Sequence, residues 1–306
     1  MTGERLVIAT RESKLALWQA NFIAQRLREA HPGLTVELLG MTTQGDRWLS
    51  APLAQVGGKG LFIKELENAL ADGRADIAVH SVKDVPVQLP PGFAMPILGF
   101  RDDVRDALVS TSGAGLLALP QRARIGSSSL RRQAQLLAAR PDLRVTPIRG
   151  NVQTRLRKLD AGEFDAVALA AAGLHRLALG GRICEYLELE VCLPAAGQGA
   201  LGVECRADDE QVQGLLAPLY DARTFANVTA ERMVSGELEA DCSAPLAAHA
   251  TFAAGRIHLR ALLAAADGSR VITASDRGED PYRVGSAVAA SLRAQGAAEL
   301  LGEQGA

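Results

Sequence analysis

Blocks of apolar positions with a strand-like period alternate along the chain with blocks of helical period. Leu6–Ala9 is a short apolar run that predicts a strand, and Ser13 is placed to cap a helix reaching Ala30, which Pro32-Gly33 ends. Thr35–Leu39 predicts the next strand. A glycine-rich loop, Gly57-Gly58-Lys59-Gly60, leads into a helix over about Leu61–Ala71 that Asp72-Gly73 stops. Asp76–His80 follows with a continuous apolar centre, the pattern of a strand covered on both faces. This βαβαβ order predicts a parallel α/β unit with right-handed crossovers.

The same alternation then repeats. Ala107–Ser110 and Ala123–Ile125 predict strands, Ser129 to Ala139 a helix before Pro141, Leu143–Ile148 a strand, Asn151–Ala161 a helix, and Phe164–Leu169 a strand. The proline-rich piece Pro86–Pro96 and the charged segment Arg101–Asp106 separate the two units. Pro194–Gly199 is a second break, after which Leu201–Cys205 predicts one more strand. Two such breaks imply that the chain crosses to the second unit and returns, with a hinged cleft between them. From about Asp221 the texture changes to a long helix, Ala222–Leu238, then alternating runs at Ala247–Ala253, Ile257–Ala264 and Val271–Ser275, and a helix near Tyr282–Ala297. The expected domains are therefore residues 1–99 with 200–220, residues 100–199, and a small α+β domain over 221–306.

Composition sharpens this picture in two respects. Hydrophobic residues make up 48% and aromatics only 4%, so the cores are built from Ala, Leu, Val and Ile, ample for α/β layers. The 33 basic and 35 acidic residues give a formal charge of -2, which argues against general nucleic-acid binding. Only Lys14, Lys59, Lys64, Lys83 and Lys158 are lysines; the other basic residues are arginines. The opening residues lack a signal-peptide core, and no run suits a membrane span. Cys184, Cys192, Cys205 and Cys242 show no CxxC pair and no metal-ligand spacing with histidine, so reduced thiols, a cytoplasmic location and no metal are expected; a monomer is expected because no long exposed apolar helix face stands out.

The candidate chemistry gathers where strands pass into helices. In Gly126-Ser127-Ser128-Ser129-Leu130-Arg131-Arg132 a glycine turn presents three hydroxyls and free amides at a helix start, with two arginines beside them. Helix N-termini favour anions, and guanidinium groups pair with carboxylates through two parallel hydrogen bonds. Arg149-Gly150-Asn151, followed by Arg155, repeats the arrangement, as does Thr10-Arg11-Glu12-Ser13. Turns of this kind at the carboxyl ends of parallel strands form the usual ligand cleft of α/β proteins. Several converging arginines call for a ligand bearing several negative charges.

Asp84, in His80-Ser81-Val82-Lys83-Asp84-Val85-Pro86, is a candidate general acid or stabiliser of a substrate cation, or else a turn-forming residue. Cys242 lies on a polar loop, where a thiol is either a small hydrophobe or a modifiable nucleophile. Gly197-x-Gly199-x-x-Gly202 spells a dinucleotide fingerprint but runs into a strand instead of a helix. A non-catalytic anion-binding module and a phosphoribosyltransferase-like enzyme remain alternatives on these features; the first gives Cys242 no role, and the second lacks its diphosphate and Mg²⁺ signals.

Taken together, Ile8-Ala9-Thr10-Arg11-Glu12-Ser13, Val56-Gly57-Gly58-Lys59-Gly60-Leu61-Phe62, Ala78-Val79-His80-Ser81-Val82-Lys83-Asp84-Val85-Pro86, the two arginine turns, Pro194-Ala195-Ala196-Gly197-Gln198-Gly199-Ala200 and Cys242 with Pro245 resemble the porphobilinogen deaminase family over nearly the whole chain. The resemblance implies two α/β domains like type II periplasmic binding proteins plus a small C-terminal α+β domain. It implies a transferase that joins four porphobilinogen molecules head to tail, with loss of ammonia, into hydroxymethylbilane. A dipyrromethane cofactor held by a thioether to Cys242 would be the primer, and Asp84 would stabilise the azafulvenium cation left when ammonia departs. By the same resemblance, Arg11, Ser13, Lys83, Ser127, Ser128, Ser129, Arg131, Arg132, Arg149, Gly150, Asn151, Arg155, Arg176 and Gln198 would bind the carboxylates of cofactor and substrate. Lys59 and Phe62 would belong to a mobile loop. The sequence departs from the family at Ala240-Asp241, where a glycine pair commonly precedes the cysteine, and at Gln55, where some relatives carry lysine.

Overall fold

The computed structural model of the chain describes residues 5–43, 63–241 and 243–302. The loop residues Gln55, Lys59 and Phe62 and the cysteine Cys242 lie outside the described residues. In chain order, β1 (Arg5–Arg11), α1 (Lys14–Ala30), β2 (Thr35–Met41), α2 (Lys64–Ala71), β3 (Ile77–Ser81) and β4 (Phe93–Gly99) come first. They are followed by β5 (Asp106–Ser110), β6 (Arg124–Gly126), α3 (Leu130–Ala139), β7 (Arg144–Thr146), α4 (Val152–Asp160), β8 (Ala166–Ala170), α5 (Ala171–Arg176) and β9 (Glu185–Tyr186). The chain then runs through β10 (Leu201–Arg206), α6 (Glu210–Leu216), α7 (Ala222–Glu237), β11 (Leu246–Ala253), β12 (Arg256–Ala264), β13 (Val271–Gly278), α8 (Pro281–Ala294) and α9 (Ala297–Gly302). Contacts divide it into two compact units, Met1–Arg101 with Ala200–Phe225 and Asp102–Gly199 with Ala226–Ala306.

The first unit is built on a five-stranded sheet of order β2-β1-β3-β10-β4. Successive residues of β1 point to opposite faces, as strand geometry requires. Leu6 and Ile8 meet Ile23 and Leu27 of α1, while Val7 and Ala9 meet Leu66, Ala69 and Leu70 of α2. The buried positions Ala20, Ile23, Ala24 and Leu27 recur at helical spacing, and Ser13 caps α1 by accepting a hydrogen bond from the Ala16 amide. Both faces of the sheet are thus covered, as the unbroken apolar centre of β3 predicts.

The parallel pairing expected of the βαβαβ order holds for its three strands, while the sheet as a whole is mixed. β1, β2 and β3 are parallel, but β10 runs antiparallel to both β3 and β4. Apolar periodicity marks a strand without marking its direction. Pro86–Pro96, read as a connector, also contains the start of β4, which is an edge strand of the sheet. Pro96 is tolerated there because an edge position needs no second ladder hydrogen bond.

The second unit contains a matching sheet, β7-β6-β8-β5-β9. Here β6, β7 and β8 are parallel and β5 is antiparallel to β8. In each sheet the antiparallel strand beside the parallel trio follows a passage of the chain between units: β5 after Arg101 and β10 after Gly199. The strand expected over Leu143–Ile148 is shorter, Arg144–Thr146, since Pro147 carries no amide to extend the ladder. A separate three-stranded sheet, β11-β12-β13, is antiparallel throughout, as the alternation predicts. It packs Leu259, Ala261 and Leu263 against Ala230 and Val234 of α7 and Val284, Val288 and Leu292 of α8.

One buried carboxylate fastens the five-stranded sheet of the second unit. Asp106, fully buried at the start of β5, places Oδ2 2.7 Å from Arg131 Nη1. Its Oδ1 accepts hydrogen bonds from Arg132 Nε at 2.9 Å and Nη2 at 2.7 Å, and from Gln198 Nε2 at 3.0 Å. Arg132 Nη1 donates onward to the carbonyl of Ala168 in β8. Burial favours the neutral acid, but the charges and hydrogen bonds of Arg131 and then Arg132 overcome it and hold the carboxyl far below the usual carboxylate range. The neighbouring Cys192 thiol, which donates to Asp106 Oδ2, is pushed up to about 12 by burial and by that carboxylate.

Asp106→Asn leaves two buried guanidinium groups without a counter-charge and is expected to lower unfolding free energy by about 3–5 kcal/mol at neutral pH. The Asp106 carboxyl is depressed on folding, so its contribution is full above about pH 5 and declines as pH falls through the unfolded value near 3.9. Denaturant melts of both proteins from pH 7 to pH 3 check this. A gap that stays constant to pH 3 contradicts it.

Candidate active site

In the first unit, the end of β1, the start of α1 and the turn after β3 enclose a small cavity of about 80 Å³. Arg11, Ser13, Gln19, His80, Ser81 and Asp84 are among its lining residues. Asp84 ends the single 3₁₀ turn Val82–Asp84, which is closed by the Val85 amide donating to the Val82 carbonyl and fixed to β10 through Val82 N–H to Ala200 O at 3.1 Å. Its carboxylate is exposed and takes part in no ion pair among the described residues. Gln19 donates to Ser81 Oγ at 2.8 Å, which ties α1 to the end of β3. Beneath the turn, His80 Nε2 lies 2.8 Å from Glu204 Oε2, with both side chains buried. Lys83 and Arg11 are half-buried.

In the second unit the two serine- and arginine-bearing turns lie side by side, because β6 and β7 pair in parallel. Ser128 stitches them together: its Oγ donates to Ile148 O at 2.6 Å and accepts from Ile148 N–H at 3.1 Å. Ser127 accepts from the Ser129 amide, and Ser129 caps α3 by accepting from Arg132 N–H. Asn151 caps α4 by accepting from Thr154 N–H at 2.9 Å. Gly150 has φ +109, and a Cβ there would sit 2.5 Å from Thr154 Cγ2, so only glycine fits this turn. Arg155 Nε donates to the Gly150 carbonyl at 2.8 Å and braces the same turn.

The arginines divide by how their donors are used. Arg132 is 6% exposed and directs all three nitrogens at Asp106 and Ala168. Arg131 is 3% exposed, with Nη1 shared by Asp106 and the Leu193 carbonyl. Arg176, at the end of α5, donates to Gly199 O at 2.5 Å and lies 3.8 Å from Asp102; burial lowers its pKa. Gln198 is fully buried on Val104 O and Asp106. Arg149 is half-buried and makes no hydrogen bond or ion pair among the described residues. A guanidinium held at a strand-to-helix turn and not spent on the protein is a fitting receptor for an acetate or propionate carboxylate. The donor set therefore suits a carboxylate-rich pyrrole ligand.

Two buried acids in these networks, Asp106 and Glu204, are absent from the residues that sequence alone singles out. A signal for both exists: each is a carboxylate within or at the edge of an apolar strand run, where a partner is required. Asp241 Oδ1 accepts from the amide and hydroxyl of Ser243. Among the described residues, no group of three or more His, Cys, Asp or Glu is placed to hold a metal ion, and no helix is long and apolar enough to cross a membrane.

Comparison with known proteins accounts for nearly all of the chain. Residues 6–214 match the family model for the porphobilinogen deaminase dipyrromethane cofactor binding domain, and residues 225–294 match the model for the porphobilinogen deaminase C-terminal domain. The chain is 55% identical to the porphobilinogen deaminase of Thiobacillus denitrificans, with 97% of each protein covered. It is 52% identical to that of Syntrophotalea carbinolica, over 98% of this chain and 96% of that one. Among solved structures it is similar to the periplasmic aliphatic sulphonate binding protein SsuA from Escherichia coli, at 15% identity and a TM-score of 0.39, over 77% of this chain and 71% of that one. The chain belongs to the porphobilinogen deaminase family.

Proposed function

We propose that Asp84 carries the charge-stabilising chemistry of hydroxymethylbilane synthesis in this chain, and that Cys242 tethers the dipyrromethane cofactor by a thioether. The reaction condenses four porphobilinogen molecules head to tail and releases ammonia at each step. The bound dipyrromethane supplies the primer, a pyrrole with a free α-carbon to which new rings are joined. The residues of the chain itself bind, orient and stabilise.

The supporting observation is the state of Asp84. It is an exposed carboxylate on a short, hydrogen-bonded turn, beside a cavity lined by Arg11 and Ser13, and it is not neutralised by any ion pair among the described residues. Departure of ammonia from porphobilinogen leaves a cation spread over methylene and ring nitrogen. A fixed carboxylate about 4 Å away attracts it by about 4 kcal/mol at an effective dielectric near 20. Because the turn is already in place, little reorganisation is needed when the charge develops. Arg149 and the turns at Ser129 and Asn151 serve a different purpose: they receive acetate and propionate groups. Their hydroxyl and amide caps support the helix starts, while the guanidinium groups supply the charge.

Three further assignments belong to this proposal. The second unit comprises two domains, 100–199 and 221–306, in keeping with its two sheets and their separate cores. Arg132 and Gln198 act on the ligand indirectly, by setting Asp106 and Arg131. The protein works in the cytoplasm, where the free thiols Cys184, Cys192 and Cys205 stay reduced.

The intact protein is expected to exceed its sequence mass by two pyrrole units, located by peptide mapping on the fragment containing Cys242. Cys242→Ala removes that excess; a modified mass in the variant contradicts the assignment. Asp84→Asn is expected to keep the excess mass and lose activity by about 10²-fold or more. Wild-type turnover in that variant contradicts the role given to Asp84.

A further inference from the structure

Each coupling round releases a proton that some group has to receive. Porphobilinogen's aminomethyl group, an ammonium at neutral pH, leaves as ammonia with the C–N electron pair. The free α-carbon of the acceptor ring, which after the first round is itself derived from porphobilinogen, then forms the new C–C bond with its π electrons. That carbon now bears both a hydrogen and the new bond. Breaking its C–H bond returns the electron pair to the ring and restores the pyrrole, so one proton must be accepted close to the reacting carbon. Asp84 is a poor choice for a lasting acceptor, because its role is to stay charged beside the cation.

The cavity offers a second group. His80 lines it together with Asp84, Arg11 and Ser13, yet the imidazole is only 6% exposed. Its Nε2 is engaged by Glu204 Oε2 at 2.8 Å, and Glu204 is fully buried in the middle of β10. Nδ1 has no hydrogen-bond partner among the described residues and is not one of the sealed polar atoms, so it is the nitrogen left for the cavity. A carboxylate on one ring nitrogen fixes the tautomer with hydrogen on that nitrogen, makes the opposite nitrogen basic, and stabilises the imidazolium that results.

A third residue completes the cluster. Glu67 of α2 is buried, and burial first, then the charge of Glu204, raises its carboxyl above the usual range. Its Oε1 and Glu204 Oε1 are both buried without a hydrogen-bond partner. Two adjacent buried carboxyls disfavour a second negative charge, which is the direction in which Glu67 is shifted. Among the described residues, Arg11 and Asp84 line the same cavity as His80, while Lys64 acts on Glu67.

We infer that His80 is the base that takes the α-proton on Nδ1 at each coupling, and that Glu204 is the positioning residue that holds its ring and tautomer. The inference rests on the reading of the Asp84 cavity as the place of reaction. From Nδ1 the proton passes to solvent before the next round.

Porphobilinogen deuterated at its free α-carbon tests this in the cofactor-loaded enzyme. His80→Ala is expected to lower kcat by about 10²-fold or more while leaving KM within about twofold, and to show a primary isotope effect on kcat larger than that of the wild type. Added imidazole restores part of the lost rate. Should His80→Ala fail to hold the cofactor, Glu204→Gln keeps the imidazole and is expected to change kcat and the isotope effect in the same direction. A variant whose kcat falls without any increase in the isotope effect, or does not fall, overturns the proposal. Independently of turnover, ¹⁵N spectra of histidine-labelled enzyme should show His80 with hydrogen on Nε2 in the wild type and a changed tautomer balance in Glu204→Gln; hydrogen on Nδ1 in the wild type overturns it as well. Full activity in Asp84→Asn would instead remove the reading of the cavity on which this inference rests.

Discussion

The second unit is organised by the need to keep Asp106 charged in a place without water. A carboxylate at the start of β5 is stable there only with Arg131 and Arg132 against it, and satisfying those guanidinium groups recruits Gln198, Ala168 and Leu193 in turn. One requirement therefore links β5, α3, β8 and the loop before Gly199. Each link is also a constraint on the site, since α3 begins at the Ser129 cap and Arg131 lies on its first turn. Ion pairs of this kind contribute little net stability compared with well-packed apolar side chains, but they hold one geometry against alternatives, because breaking one partner leaves another charge buried. A site that must present guanidinium groups in a fixed arrangement gains from that rigidity.

The arginines accordingly do two kinds of work. Arg132, Arg176 and Arg155 spend donors on the protein's own carbonyls and carboxylates and shape the turns. Arg149 makes no such bond among the described residues, which is the reason it is proposed as a receptor for a ligand carboxylate. The division explains why a ligand with many acetate and propionate groups does not require every arginine to touch it. The chemistry is proposed for other groups, the carboxylate of Asp84 on a short turn in the first unit and the imidazole of His80 four residues before it.

Much of this was legible from sequence. The caps at Ser13, Ser129 and Asn151, the break at Pro194–Gly199 and the antiparallel C-terminal sheet are local features, set by side-chain hydrogen bonds and by periods of two or 3.6 residues. Strand direction was not legible, because β10 carries the same apolar pattern whether it pairs parallel or antiparallel with β3. Nor were the partners of Asp106 and Glu204, which lie 25 and 124 positions away at Arg131 and His80 and become neighbours only through the fold. Arg131 and Arg132 are adjacent in sequence and share one acid that sequence proximity does not reveal. In the structure their donors are committed unequally.

Asp84 is proposed to stabilise the cation formed from porphobilinogen on an enzyme already primed through Cys242. Mass spectrometry of the intact Asp84→Asn protein mixed with excess porphobilinogen tests it most directly, since each ring added to the primer appears as one pyrrole unit. A single species at the mass of the primed protein is expected, with no added rings on the time scale at which the wild type is extended. A ladder of one to four added units in Asp84→Asn, formed at the wild-type rate, would contradict it.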